Sequence, residues 1–185
     1  EIIEGQFLDL NFEGKTDIGI SRYIDMITRK TGALIRSAMH LGAISGTKNP
    51  RDIESLANCG HYLGLLFQIR DDYLGIWGSD KETGKPTGSD IIRKKNSLPL
   101  VYGLERADEP LKRRIRQIYS QPEIQSDDVD MVIGLLEDTK APEYINKLAL
   151  ENANKARKAI EPVSLILGAS ADLEELLDFL LNRQS

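Results

Sequence analysis

Between Asn49-Pro50 and Gly78 the chain runs for nearly thirty residues without an internal proline or a cluster of turn residues. Asn49 is a favoured N-cap, and proline fits the first helical position, where its missing N–H costs nothing. Gly78 suits the stop. The stretch predicts one long helix reaching about Trp77, apolar over much of its surface. Only other packed elements can bury such a surface, and the rest of the chain supplies helices. Strand signals are almost absent. A first helix is predicted over about residues 1–10, followed by a turn at Glu13-Gly14-Lys15. Asp17 is placed to cap a second helix running to about Ser45, which Gly46 closes. After a polar loop from Ser79 to Asp90, SLPLVYGLERA opens another helix with Pro99 in its first turn. Shorter helices are expected at about 109–120, 127–139 and 142–167. ADLEELLDFLLNR closes the chain with a helical period of 3.6. No internal repeat, low-complexity tract or linker interrupts the 185 residues. The expected architecture is a single all-α domain with several long antiparallel helices.

Composition excludes several classes. The net charge of -5 gives no general attraction to nucleic acid or anionic membranes. No apolar run reaches the ~20 residues of a bilayer span, and no signal peptide is visible. The single cysteine, Cys59, excludes an internal disulfide framework and fits a reducing, cytoplasmic setting. It lies in a helical pattern and reads as a core thiol. His40 and His61 have no partner at metal-ligand spacing and read as structural. The chain starts at Glu1, and EIIEGQFLDL already reads as mid-helix without a preceding N-cap, so a piece of a longer protein is expected.

The long helix carries an energetic problem. Asp71 and Asp72 are adjacent like charges inside the apolar pattern FQIRDDYLGIWG, and buried carboxylates are costly unless a cation accompanies them. Gln68 shares their face through i, i+3 and i, i+4 spacing. Hard divalent cations such as Mg²⁺ take oxygen ligands, shared between one or two carboxylates and substrate phosphates. Two readings stand: a Mg²⁺-diphosphate site, or two solvated charges beside Arg70. The loop behind, KETGKPTGSD, sets Lys85 between glycines, and Arg93-Lys94-Lys95 follows. Glycine permits close backbone approach and lysine is a usual phosphate binder, though an ordinary surface turn has the same composition. Lys30-Thr31-Gly32 falls in the second helix, where glycine is unfavourable by about 1 kcal/mol relative to alanine. It permits a kink that frees a carbonyl near Lys30 or Thr31, or a close helix contact. Gln6 and Asp9 share one face of the first helix.

These elements together resemble the trans-isoprenyl diphosphate synthases, or polyprenyl synthetases. FQIRDDYLGIWGSDKETGKPTGSDI resembles the family's second aspartate-rich motif with its lysine loop, GQFLDL its GQxxDL helix, and KTG its lysine-threonine helix break. Order and spacing match along the whole chain. The resemblance implies an isoprenoid synthase-type helical bundle, incomplete because only its C-terminal helices are present. It also implies Mg²⁺-dependent condensation of isopentenyl diphosphate with an allylic diphosphate by ionisation, condensation and proton loss. It assigns Asp71 to direct Mg²⁺ binding, Asp72 to assistance through water or a shared ion, and Asp9 to a place near the metals. Lys30, Lys85 and Lys95 would hold the allylic diphosphate. Thr31 and Gln68 would face the developing carbocation, Gln6 would line the cavity, and Asp90 would orient the lysines. Arg183 is a candidate for the homoallylic diphosphate. The intact enzyme is expected to be a homodimer.

Two departures qualify this. Gly75 stands where the family's DDxxD has its last aspartate, and the first aspartate-rich motif is absent. This chain alone is therefore expected to be inactive. The alternatives are a non-catalytic subunit of a heteromeric synthase, or an all-α interaction module. A terpene cyclase fits less well, because DDYLG is not the Asn/Ser/Glu metal motif.

Overall fold

A computed structural model describes residues 1–79 and 84–182. Arg183, the candidate for the homoallylic diphosphate, therefore lies outside the described residues. Every described element is helical. In order these are α1 (Ile2–Phe12), α2 (Ile20–Ile27), a wide turn (Thr28–Gly32), α3 (Ala33–Gly46), α4 (Pro50–Trp77), α5 (Ser89–Ile92), α6 (Leu98–Arg106), α7 (Glu109–Ser120), α8 (Ser126–Asp138), α9 (Ala141–Ile160) and α10 (Leu167–Asn182). The all-α expectation is met. Among the described residues no helix is long and apolar enough to cross a membrane.

Several boundaries moved for identifiable reasons. α9 stops at Ile160, short of the expected 167, just before Glu161-Pro162, as proline cannot continue a helix. Asp17 does not start α2. The helix begins at Ile20, whose N–H donates to Glu105 Oε2 at 3.0 Å. A carboxylate 85 residues away in sequence thus takes the capping role, favoured by the positive end of the helix dipole. The second helix continues through its glycine without a break. It widens over Thr28–Gly32 into a π-turn, with the Ala33 N–H reaching Thr28 O five residues back.

Contacts divide the chain into two compact units. The first contains residues 1–6, 26–70 and, among the described residues, 147–182. Its fully buried side chains include Leu66 and Ile69 of α4, Ala153 and Ala156 of α9, and Leu177 of α10. Burying each of the large ones contributes roughly 1.5–3 kcal/mol. Glycines set the closest approaches. A Cβ on Gly60 would lie 2.8 Å from the Ile35 carbonyl oxygen, and one on Gly64 would lie 2.7 Å from Gly32 Cα. α4 therefore packs against α3 and the π-turn backbone to backbone. Arg157 of α9 donates to Glu174 and Asp178 of α10 at 2.8 and 2.6 Å. Cys59 is buried, and burial with the nearby Glu174 charge pushes its thiol up to about 11.

The second unit contains residues 7–25 and 71–146. Its core gathers Ile76 from the end of α4, Ile91 from α5, Leu100 and Leu104 from α6, Ile115 and Ile118 from α7, and Val132 and Leu136 from α8. Tyr102 and Tyr144 stack with ring centroids 4.1 Å apart. The carbonyls left without helical donors at the end of α4 are met by the loop that follows. Gly88 N–H donates to Ile76 O at 3.0 Å, Ser89 Oγ to Gly75 O at 3.4 Å, and Thr87 Oγ1 to Gly78 O at 3.1 Å. Gly88 has φ 72°, and a Cβ there would meet Val129 Cγ1 at 2.4 Å, so no other residue fits that stitch. The loop is thereby held along the last turn of α4.

Candidate active site

In the second unit the two aspartates have different environments. Asp71 is 46% exposed, whereas the Asp72 side chain is 0% exposed. Asp72 Oδ2 accepts from the Tyr23 hydroxyl at 2.5 Å and from the Leu98 N–H at 3.1 Å, while Oδ1 faces Lys95 Nζ at 3.6 Å. Leu98 opens α6, and its N-cap residue Ser97 makes no side-chain cap bond. Asp72 fills that role from another helix, where the helix dipole favours its charge. Burial pushes the Asp72 carboxyl up to about 6, a rise that Lys95, the Tyr23 hydrogen bond and the Leu98 N–H each limit. Tyr23 is held well above its ordinary value, first by burial and then by the charges of Asp72, Asp9 and Asp90.

Lys95 is the centre of this cluster. Its ammonium lies 3.2 Å from Asp90 Oδ2, 3.6 Å from Asp72 Oδ1 and 3.9 Å from Asp71 Oδ2. Burial acts to lower its pKa, but Asp72, Asp90 and Asp71 outweigh burial and hold the ammonium above its usual range. Local backbone aims it there. α5 ends in a Schellman motif, with the Lys94 N–H on Ile91 O at 2.8 Å and the Lys95 N–H on Asp90 O at 2.9 Å. Lys94 takes the left-handed position with φ 55°, where glycine is usual. Its Nζ donates to the carbonyl oxygens of Gln121 and Pro122.

In the first unit the π-turn presents Thr31, whose Oγ1 donates to Gln68 Oε1 at 2.8 Å; Gln68 is buried. Two glycines clamp this turn. A Cβ on Gly5 would lie 2.3 Å from Lys30 N, and Gly64 meets Gly32 as described above. Arg29 pairs with Glu4 at 2.9 Å on the same side of the turn. Lys30 is partly buried on the turn, and Gln6 is exposed on α1.

The structure thus brings together Asp71, Asp72, Asp90 and Lys95 in one cluster, with the Asp9 charge felt at Tyr23, and joins Thr31 to Gln68 in another. Lys85 lies exposed in the loop before α5. Tyr23 and the Leu98 N–H were not foreseen. Nothing in the sequence near either one signals a carboxylate partner. Among the described residues no group of three or more His, Cys, Asp or Glu side chains converges as a metal cage. The donor set still fits a hard cation in part. Asp71 offers an accessible carboxylate, while the oxygens of Asp72 already face Tyr23, Leu98 and Lys95.

The sequence profile described as Polyprenyl synthetase matches residues 1–136. A short chain isoprenyl diphosphate synthase of Methanothermobacter thermautotrophicus is 37% identical over 184 residues, covering 100% of this chain and 56% of the relative. A geranylfarnesyl diphosphate synthase of Aeropyrum pernix is 32% identical, covering 98% and 55%. The crystal structure of a geranylgeranyl pyrophosphate synthetase from Pyrococcus horikoshii superposes with a TM-score of 0.90 at 36% identity, covering 98% of this chain and 55% of that one. A Corynebacterium glutamicum geranylgeranyl pyrophosphate synthase, crystallised with isoprenyl diphosphate and magnesium, gives a TM-score of 0.89 at 28% identity, covering 98% and 52%. The chain spans about half the length of these relatives, and its helices are those of an isoprenoid synthase-type fold. On the profile match and these identities together, the chain belongs to the polyprenyl synthetase family.

Proposed function

We propose that these residues form the C-terminal half-site of a prenyltransferase that condenses isopentenyl diphosphate with an allylic diphosphate. The observation that carries the reading is Lys95 held among Asp71, Asp72 and Asp90, a cation and carboxylates arranged for a magnesium-bound diphosphate. Asp71 would hold Mg²⁺, which neutralises charge on the diphosphate oxygens when bound. Asp72 fixes Lys95 and the start of α6 and would assist the ion through water or a shared ion. Asp9 belongs to the same acidic surroundings. Lys95, with Lys30 and Lys85, would bind the diphosphate and stabilise the negative charge that develops as the allylic C–O bond breaks. Thr31 donates a hydrogen bond to Gln68 Oε1, which fixes both side chains, and their oxygens would face the allylic cation. No protein nucleophile takes part. The magnesium-bound relative from C. glutamicum supports the cofactor, and the family supports a homodimer for the intact enzyme.

The first test is calorimetric titration of the chain with inorganic pyrophosphate, with and without Mg²⁺. The reading expects binding that requires Mg²⁺ and weakens in Asp71→Asn and Lys95→Ala. Equal pyrophosphate binding with and without Mg²⁺, or none, would overturn it and favour the interaction module. Because the upstream aspartate motif is missing, the chain incubated with both prenyl substrates and Mg²⁺ is expected to make no product. A product would sink that expectation.

A further inference from the structure

We infer that Lys94 is a positioning residue for Lys95. Its ammonium straps the end of α5 to the connection between α7 and α8, and that strap fixes the backbone from which the next side chain reaches Asp71, Asp72 and Asp90. The functional meaning rests on the diphosphate reading; the strap itself does not. Lys94 is the left-handed residue that closes α5, with φ 55°, a conformation that favours glycine and penalises a side chain. The side chain nevertheless has a use there. Nζ donates to the Gln121 carbonyl oxygen and, at 3.4 Å, to that of Pro122. These carbonyls lie just past the C-terminal end of α7, where the helix dipole favours a cation. An ammonium has three protons to donate, so one lysine serves both. The receiving segment is itself held. The Gln121 N–H donates to Ile118 O at 3.2 Å, and the Gln121 side-chain amide donates to Asp128 Oδ2 of α8 at 3.0 Å.

Lys95 follows directly. On its other side the buried Asn96 donates from Nδ2 to Phe12 O, and the Ser97 N–H returns to Lys95 O at 3.1 Å. The lysine among the three carboxylates is thus strung between two side-chain tethers, one to the α7–α8 connection and one to Phe12. A glycine at position 94 would satisfy the backbone of α5 equally well, but it would leave the first tether unmade.

Two measurements on the 185-residue chain test this. Lys94→Gly suits the left-handed backbone but cannot form the strap, and Lys94→Arg keeps both the cation and the donors. The first measurement is amide hydrogen exchange. Glycine relieves the backbone at position 94, so local geometry alone would raise the protection of the Lys95 N–H. Loss of the strap should instead lower that protection several-fold, with Lys94→Arg close to the parent. Protection that is unchanged or higher in Lys94→Gly, or equally lowered in Lys94→Arg, overturns the strap. The second measurement is titration with Mg²⁺ and inorganic pyrophosphate. Lys94→Gly should weaken binding several-fold in the parent and have no further effect in Lys95→Ala, because it acts through Lys95. The same loss in both backgrounds would mean that Lys94 meets the diphosphate itself, and it overturns the positioning role, as does no loss in either. A parent chain that does not bind magnesium pyrophosphate counts against the diphosphate reading alone, and the exchange result then still decides the strap.

Discussion

Tyr23→Phe removes one oxygen from the most enclosed contact in the second unit. The hydroxyl sits 2.5 Å from Asp72 Oδ2, and both residues are buried, Tyr23 at 1% and Asp72 at 0% exposure. Phenylalanine fills the same volume, so no cavity term enters. What is lost is a hydrogen bond to a buried charge, worth roughly 1.5–3 kcal/mol. The pH dependence identifies the cause. In the parent chain, burial raises the Asp72 pKa from 3.8 to about 6. A carboxyl with a raised folded-state pKa binds more protons folded than unfolded, so it reduces stability as pH rises from about 4 to about 6. Each unit amounts to about 1.4 kcal/mol, so this group alone removes roughly 3 kcal/mol across that window. Without the Tyr23 donor the folded pKa rises further, because that hydrogen bond was lowering it. The destabilising window then extends above pH 6. The variant should therefore differ from the parent more at pH 8, with Asp72 ionised, than at pH 5, where it is mostly protonated. Urea unfolding midpoints at the two pH values, with equal m-values, provide the assay. A difference that is the same at pH 5 and pH 8 would refute the assignment of the loss to the Asp72 charge.

Two further substitutions probe the supports around the site. Gly64→Ala places a Cβ 2.7 Å from Gly32 Cα, backbone against backbone, so it should cost about 1–3 kcal/mol and accelerate hydrogen exchange at the Thr28–Gly32 turn. Protection unchanged there would show that α4 does not clamp the turn. Arg157→Ala breaks its pairs with Glu174 and Asp178, both largely exposed, so its cost in unfolding free energy should stay below about 1 kcal/mol. A larger loss would mean that this link holds α10 more firmly than its exposure implies.

The helical class was legible because the evidence for it is local. Asn49-Pro50 and Gly78 bracket α4 at the positions the structure uses, since capping and proline geometry act within one turn. The motif residues were legible too, as chemistry on a periodic scaffold: Asp71, Asp72 and Gln68 lie within two turns of one helix. Other features depend on residues far apart in sequence. Glu105 caps the start of α2 in place of Asp17, a carboxylate that only the fold brings to the Ile20 N–H. The Thr28–Gly32 widening lies where Gly5 and Gly64 approach its backbone, and no local propensity signals such close contacts.

The sequence by itself therefore determined the helical class and most of the helices, the order of the motifs and the identity of the charged groups, because periodicity and capping are local, while α5 and several helix ends were not legible in it. Only the tertiary structure decided what the charges do. It buried Asp72 while leaving Asp71 accessible, since burial depends on what packs against a helix face and the two residues point to different neighbours. It supplied Tyr23 and the N-terminus of α6 as partners that make a buried carboxylate tolerable. It also set the Asp90 carboxylate beside Gly75, where a Cβ would lie 2.3 Å from Asp90 Oδ2.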